Sequence, residues 1–169
     1  MTDLSLTIFP ETADDAVEIE RLYERTFGPG RHAKTAYRIR EGVAHQLELS
    51  FTARIRTLLV GSVRLSPILI GSEPALLLGP LTVEPPFRER GIAQALMERS
   101  LADAKVKGHR LVLLVGDEPF YAKAGFKRIP LGRATMPGPV DPERLLVAEL
   151  VAGAFDGVSG RIRPDDKRD

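Results

Sequence analysis

Cysteine is absent from all 169 residues. Disulfides, thiolate metal sites and a cysteine nucleophile are therefore excluded. An excess of one charge is missing too: 24 Lys and Arg stand against 23 Asp and Glu, for a net charge of +1. Nucleic acid or an anionic membrane favours a concentrated basic surface, and this balance supports neither partner. No apolar stretch is long enough to cross a bilayer, and Met1-Thr2-Asp3-Leu4-Ser5 lacks the basic flank and apolar run of a secretory signal. The expectation is a cytoplasmic chain. Familiar site signatures are lacking as well. There is no Ser nucleophile elbow G-x-S-x-G, no Gly-Lys-Ser/Thr loop end and no H-E-x-x-H. His32, His45 and His109 have no metal-type spacing, so no metal is expected, and His109 reads as structural.

What the sequence does contain is an ordinary folded balance, 43% hydrophobic and 28% charged. The length suits one sizeable core and is too short for two ordinary domains. We expect one α/β domain over residues 1–160 and a mobile polar tail over 161–169. Thr12 to Asp15 has the form of a capping box, and Ala16, Ile19, Tyr23 and Phe27 then recur at helical spacing until Gly28-Pro29-Gly30. The basic segment with Arg31, Lys34, Arg38 and Arg40 reads as a solvated helix face; attraction of an acidic acceptor or a cofactor phosphate is the alternative. Leu47, Leu49 and Phe51 alternate with polar neighbours as a half-buried strand does, and Leu58 to Leu65 reads as the next strand.

Ala75 to Val83 is nearly all apolar, which predicts a strand buried on both faces, and Gly79-Pro80 predicts a bulge or a halt in pairing. A helix follows from about Gly91 to Lys107, with Ala93, Leu96, Met97, Leu101 and Ala104 as its apolar stripe. Then come a buried strand at Leu111 to Val115, a short helix around Pro119 to Ala124, and a short strand near Ile129. A Gly- and Pro-rich loop spans Gly132 to Pro142, and Leu145 to Val151 closes the sheet.

The most informative segment runs from Leu81 to Ala93. It sets Arg88-Glu89-Arg90-Gly91-Ile92-Ala93 between a buried strand and an amphipathic helix. The first N–H groups of a helix lack internal partners and lie at the positive end of its dipole, so a phosphate there gains several hydrogen bonds. Gly91 and Ala93 keep the approach open, and Arg88 and Arg90 can add charge-assisted contacts. Gly28 to Ala33 also satisfies a loose G-x-G-x-x-A pattern, but it follows a helix and not a strand. A plain strand-to-helix turn with solvated arginines is the alternative reading of the Arg88 segment.

Arg88 to Ala93 resembles the [RQ]-x-x-G-x-[GA] signature of the GNAT superfamily of N-acyltransferases. Tyr121-Ala122-Lys123-Ala124-Gly125-Phe126 resembles the same superfamily's Y-x-x-x-G-F segment, in the expected order. Leu78 to Val83 and Gly108-His109-Arg110 resemble a bacterial branch of predicted acetyltransferases. The resemblance implies a GNAT-like fold: a mixed central β-sheet flanked by helices, with two central strands splayed to admit acetyl-CoA as acyl donor. It implies that Leu81, Thr82 and Val83 meet the pantetheine, and that Arg88, Glu89, Arg90, Gly91, Ile92 and Ala93 hold the diphosphate. An amine acceptor would attack the thioester directly while a main-chain N–H near Leu81 to Val83 polarises the carbonyl. Tyr121 would serve as the catalytic acid toward the departing thiolate. Gly116-Asp117 stands where the superfamily often has Asn.

For the base that must deprotonate the acceptor ammonium, Glu48, Glu84 and Glu118 are candidates, with a solvated carboxylate as the alternative for each. The Gly132–Pro142 loop is a candidate wall of the acceptor cleft. The expected activity is acetyl transfer to a small-molecule or protein amine, with a homodimer common in the superfamily. Two other readings stay open: a non-catalytic acyl-CoA sensor on the same fold, and an enzyme handling another nucleotide.

Overall fold

The computed structural model describes residues 5–28 and 35–166. Arg31, His32 and Lys34, and most of the discounted G-x-G-x-x-A pattern, lie outside the described residues. Strand β1 (Leu6–Pro10) pairs antiparallel with β2 (Phe51–Ile55), and β2 pairs with the first half of β3 (Leu58–Ile70). β3 pairs antiparallel with β4 (Glu73–Val83), which lies parallel to β5 (Leu111–Val115). β8 (Leu145–Glu149) then follows, with β6 (Lys127–Arg128) on its outer edge. The sheet is thus mixed, and the last long strand lies inside it, not at its border.

Alternation along the central strands explains their unbroken apolar sequence. Leu76, Leu78, Val112 and Leu114 join one core with Leu96 and Met97 of helix α3 (Ile92–Val106). Ala75, Leu77, Leu111 and Leu113 face the opposite core with Phe155 and Ile162, and with Ile39 of α2 (Thr35–Glu41). Both faces of the sheet are therefore dry, as such strands require. Gly61 lets α3 sit close: a Cβ there would stand 3.0 Å from a Leu96 methyl and 3.3 Å from one of Ile92. Helix α1 (Ala16–Phe27) buries Ile19, Leu22 and Tyr23 against Leu59. Asp15 supports its entry, since its carboxylate accepts from the Thr12 N–H at 2.8 Å.

Two expectations need correction. Leu47–Leu49 is a 3₁₀ turn and not the start of a strand. The Ser50 hydroxyl explains why: it donates to the Gln46 carbonyl at 2.7 Å and accepts from the Leu65 N–H at 3.1 Å, replacing a ladder bond. The polar tail expected from residue 161 is also different. Gly160–Pro164 forms β9, which pairs with the second half of β3 and, in parallel, with β7 (Ala134–Thr135). One apolar residue, Ile162, is buried there between two exposed arginines. An alternation that short carries almost no periodic signal.

Candidate active site

The sheet opens between its two central strands. β4 and β5 pair only at Leu76↔Val112 and Leu77↔Leu113, although β4 runs on to Val83 and β5 to Val115. The bulge anticipated at Gly79-Pro80 lies where they part. Val63 pairs with Leu81 and Leu65 with Leu78, so Arg64 alone stands opposite both Gly79 and Pro80. Past this point the β4 edge that faces β5 has no strand partner.

On one side of the opening lies a cleft of about 480 Å³, lined by Leu81, Thr82, Val83, Arg88, Gly91 and Ala93 among others. The first α-helical bond of α3 runs from the Ala95 N–H to the Gly91 carbonyl. The N–H groups of Ile92, Ala93 and Gln94 therefore have no acceptor within the helix, and the helix dipole adds positive potential there. Gly91 caps the helix with φ 81°, and a Cβ on it would meet no protein atom within 4 Å. The space above this glycine is open.

The sequence-expected residues divide here by role. Leu81 and Val83 present the strand edge, whereas the Thr82 hydroxyl turns away and donates to that of Thr26 at 3.1 Å. The Arg88 Nε donates to the Val83 carbonyl at 3.0 Å, which ties the turn to the strand end. Glu89 takes φ 65° and lines the cleft. Ile92 lines it as well while anchoring the helix in the core. Arg90 is exposed, with its guanidinium 5.4 Å from the centre of the Phe87 ring.

On the other side lies a cavity of about 850 Å³. It shares Phe27, Leu81, Phe120 and Tyr121 with the first cleft. Tyr121 is the last residue of α4 (Glu118–Tyr121) and so stands at the junction. Its ring meets Phe120 edge-on at 4.9 Å and Phe126 at 6.0 Å between centres. It also covers Gly116, where any Cβ would overlap it. This is a physical reason for glycine at the end of β5, where the superfamily often has Asn. Burial, and then the charge of Asp117, push the Tyr121 phenol above its ordinary value, only partly opposed by Arg144 and Arg40. The hydroxyl is accordingly kept in its neutral, proton-donating form.

The larger cavity is lined by residues the sequence did not single out as a group. His45 and Arg64 line it, and both hold Glu11, which is 4% exposed. His45 Nε2 lies 2.7 Å from one Glu11 oxygen, and Arg64 donates through Nε and Nη2 at 3.0 Å each. Burial alone would raise the Glu11 carboxyl, but the hydrogen bonds and charges of His45 and Arg64 overcome it and hold the group below its ordinary value. Against this carboxylate Nε2 carries the proton, leaving Nδ1 as the acceptor nitrogen of the ring.

The expected bases fare differently. Glu84 pairs with Arg25 at 2.9 Å and Glu118 with Arg128 at 3.0 Å, while Glu48 is exposed on the 3₁₀ turn. None of the three lines either opening. Arg40, read as solvated, instead points into the cavity. The Gly132–Pro142 loop does reach the cavity, through Val140 and Asp141, and the Thr35 hydroxyl holds it by donating to the Pro139 carbonyl at 2.6 Å.

Comparison with known proteins agrees with this geometry. Residues 46–128 match the acetyltransferase (GNAT) domain. The uncharacterized N-acetyltransferase YhbS of Escherichia coli K12 is 27% identical over 150 residues, spanning 88% of this chain and 89% of the relative. The crystal structure of E. coli YhbS in complex with CoA superposes with a TM-score of 0.80 at 26% identity, covering 97% of this chain and 92% of that one. A GNAT family acetyltransferase from Brucella melitensis, in complex with acetyl-CoA, gives 0.62 at 25% identity, covering 91% and 100%. Residues 46–128 thus form an acetyltransferase (GNAT) domain, and the chain as a whole has the fold of the GNAT family structures.

Proposed function

We propose that this protein is an N-acetyltransferase that moves an acetyl group from acetyl-CoA to an acceptor amine by direct attack. The observation that carries this reading is the meeting of two openings at Tyr121: a main-chain-rich cleft ending on a helix N-terminus, and a wide cavity lined by charged side chains. CoA and acetyl-CoA in the related structures support the donor assignment. The diphosphate would lie on the Arg88–Ala93 turn, and pantetheine would run along Leu81 to Val83, where the parted strand leaves main-chain groups unpaired.

In the reaction the acceptor nitrogen bonds to the thioester carbonyl carbon and the C–S bond breaks. A main-chain N–H near Leu81 to Val83 stabilises the charge that develops on the carbonyl oxygen. The Tyr121 hydroxyl gives its proton to the departing sulfur, and the phenolate is restored by the second proton that the acceptor nitrogen sheds on becoming an amide. The ammonium proton of the acceptor passes to Nδ1 of His45, whose other nitrogen is fixed by Glu11. His45 takes the place of Glu48, Glu84 and Glu118 as the base. On composition the protein would work in the cytoplasm, and the superfamily's habit makes a homodimer the assembly to test.

Tyr121→Phe tests the reading. It keeps the ring contacts with Phe120 and Phe126 and removes only the proton donor. A fall in kcat on the order of 10²-fold is expected, with acetyl-CoA affinity and Tm little changed. Full turnover in the Phe variant, with chemistry rate-limiting, would remove Tyr121 from the mechanism. Acetyl-CoA binding with no acetylation across a broad amine panel would favour a sensor.

A further inference from the structure

The acceptor cavity holds a guanidinium, that of Arg40, with no counter-ion among the described residues. Arg40 reaches from α2 toward the β4 bulge, and its Nη2 occupies the place a side chain on Gly79 would need, 2.5 Å from an ideal Cβ there. Gly79 itself has φ 134°, so the bulge both tolerates and requires glycine. Among the described residues Arg40 has no ion-pair partner, and its Nε is buried without a hydrogen bond. The neighbouring guanidinium cannot share its counter-charge, since the Nε and Nη2 of Arg64 are both engaged by Glu11. The Tyr23 hydroxyl, on the same cavity wall, is buried with only the Ser62 hydroxyl, itself otherwise unpartnered, beside it. Burial first, and then the like charge of Arg64, push Arg40 down to about 10 despite the opposing influence of Tyr23 and Tyr121.

Arg40 is half-buried, and a guanidinium that has lost part of its hydration without gaining a partner is left ready for an anion. The planar guanidinium suits two parallel hydrogen bonds to one oxyanion group. The carboxylates on the same wall are distributed differently: Glu20, Glu41, Asp117 and Asp141 are all exposed. A zwitterion suits such a wall, with its anion at the half-buried Arg40 and its amine toward Asp117, whose charge reaches Tyr121.

We propose that the acceptor carries an anionic oxygen group, a carboxylate or a phosphate, which binds Arg40 and the Tyr23 hydroxyl while its amine faces Tyr121. The amine half rests on the transferase reading above; the anion half rests on Arg40 and Tyr23. Arg40 and Tyr121 line the same cavity, so one acceptor can meet both, and a small amino acid or an aminoalkyl phosphate carries the two groups required.

The test uses matched amines with acetyl-CoA: glycine against methylamine, β-alanine against ethylamine, and 2-aminoethyl phosphate against ethanolamine. The anionic member of at least one pair should be acetylated with kcat/KM about tenfold or more above its neutral partner. That preference should vanish in Arg40→Gln while acetyl-CoA affinity is unchanged. The pair that responds distinguishes carboxylate from phosphate. Equal use of the neutral amines, or an undiminished preference in Arg40→Gln, overturns the proposal. So does a loss of acetyl-CoA affinity in the variant, which would assign Arg40 to the donor.

Calorimetry with acetate and inorganic phosphate on the CoA-saturated wild type supplies a readout independent of turnover and of the variant's folding. Absence of anion binding there overturns the proposal. Anion binding that Arg40→Gln abolishes, with no amine acetylated, sustains the anion site and tells against the transferase reading.

Discussion

The two openings that meet at Tyr121 are built on opposite plans. The cleft proposed for the donor is built mainly from one piece of chain, Leu81 to Gln94, closed by Phe27, Phe120 and Tyr121, and offers main-chain groups, a glycine and a helix end. The acceptor cavity is assembled from side chains of α1, α2, β3, β4, α4 and the loop before β8. Some of its charges are mutually dependent, since His45 and Arg64 both engage the buried Glu11. A site of the first kind suits a ligand that is constant across a family. One of the second kind can change its ligand through a few substitutions, because each side chain comes from a different element.

The largest effect should come from the acceptor side. Glu11→Gln leaves Arg64 without its counter-ion and replaces one of the two acceptor oxygens that Arg64 and His45 share by an NH2 donor. Breaking a buried pair by removing one partner costs roughly 3–5 kcal/mol, so a clear fall in Tm is expected by calorimetry. The acid limb of stability should change with it. The wild-type carboxyl lies below its ordinary value of 4.5 in the folded state. Its contribution is therefore fully present above that value and is lost as pH falls through the lower folded value. Glu11→Gln should flatten this part of the Tm-against-pH curve. His45→Gln should spare most of the stability and reduce kcat/KM near neutral pH instead. Equal Tm in wild type and Glu11→Gln at neutral pH would show that the buried cluster contributes little.

This contrast also governs what the sequence could show. The strand–turn–helix around Arg88 to Ala93 was legible because its residues are consecutive and its neighbours carry strong periodicity: an apolar strand before it and an amphipathic helix after it. The parting of β4 and β5 was readable through Gly79-Pro80. Glu11, the Arg40–His45 segment and Arg64 lie far apart in sequence and are joined only by folding, so no local pattern unites them. A partial signal did exist. Arg64 stands between the buried Val63 and Leu65, opposite the bulge, and Arg40 follows Ala36 by one helical turn on the inner side of α2. Glu84 and Glu118 misled because a carboxylate near a strand end looks the same whether it serves chemistry or an arginine.

On the donor side the expected effects are smaller and separable from stability. Gly91→Ala places a methyl group in open space, so the folded state suffers only the backbone strain of φ 81°, on the order of 1–2 kcal/mol. The methyl stands where the diphosphate would approach the orphan N–H groups. Acetyl-CoA affinity should therefore fall about tenfold or more while the protein stays folded. Unchanged affinity, measured by calorimetry beside Tm, would move the diphosphate away from this turn.

The smallest effect is expected at Arg90, and it separates two arginines that sequence alone treats alike. Arg88 is tied into the turn by its bond to the Val83 carbonyl and lines the cleft. Arg90 is exposed, rests on Phe87, and does not line the cleft. A solvated guanidinium acts on a phosphate through water and salt, which limits its contribution. Arg90→Ala should therefore weaken acetyl-CoA by less than about fivefold, and raised ionic strength should erase even that difference. Arg88→Ala should act more strongly, because it frees the turn that presents the helix end. Titrating acetyl-CoA into both variants at low and high salt decides the matter. A large, salt-resistant loss at Arg90 would mean that its side chain leaves Phe87 and closes over the diphosphate when the donor binds, so that the donor side too would depend on a side chain brought in by conformation.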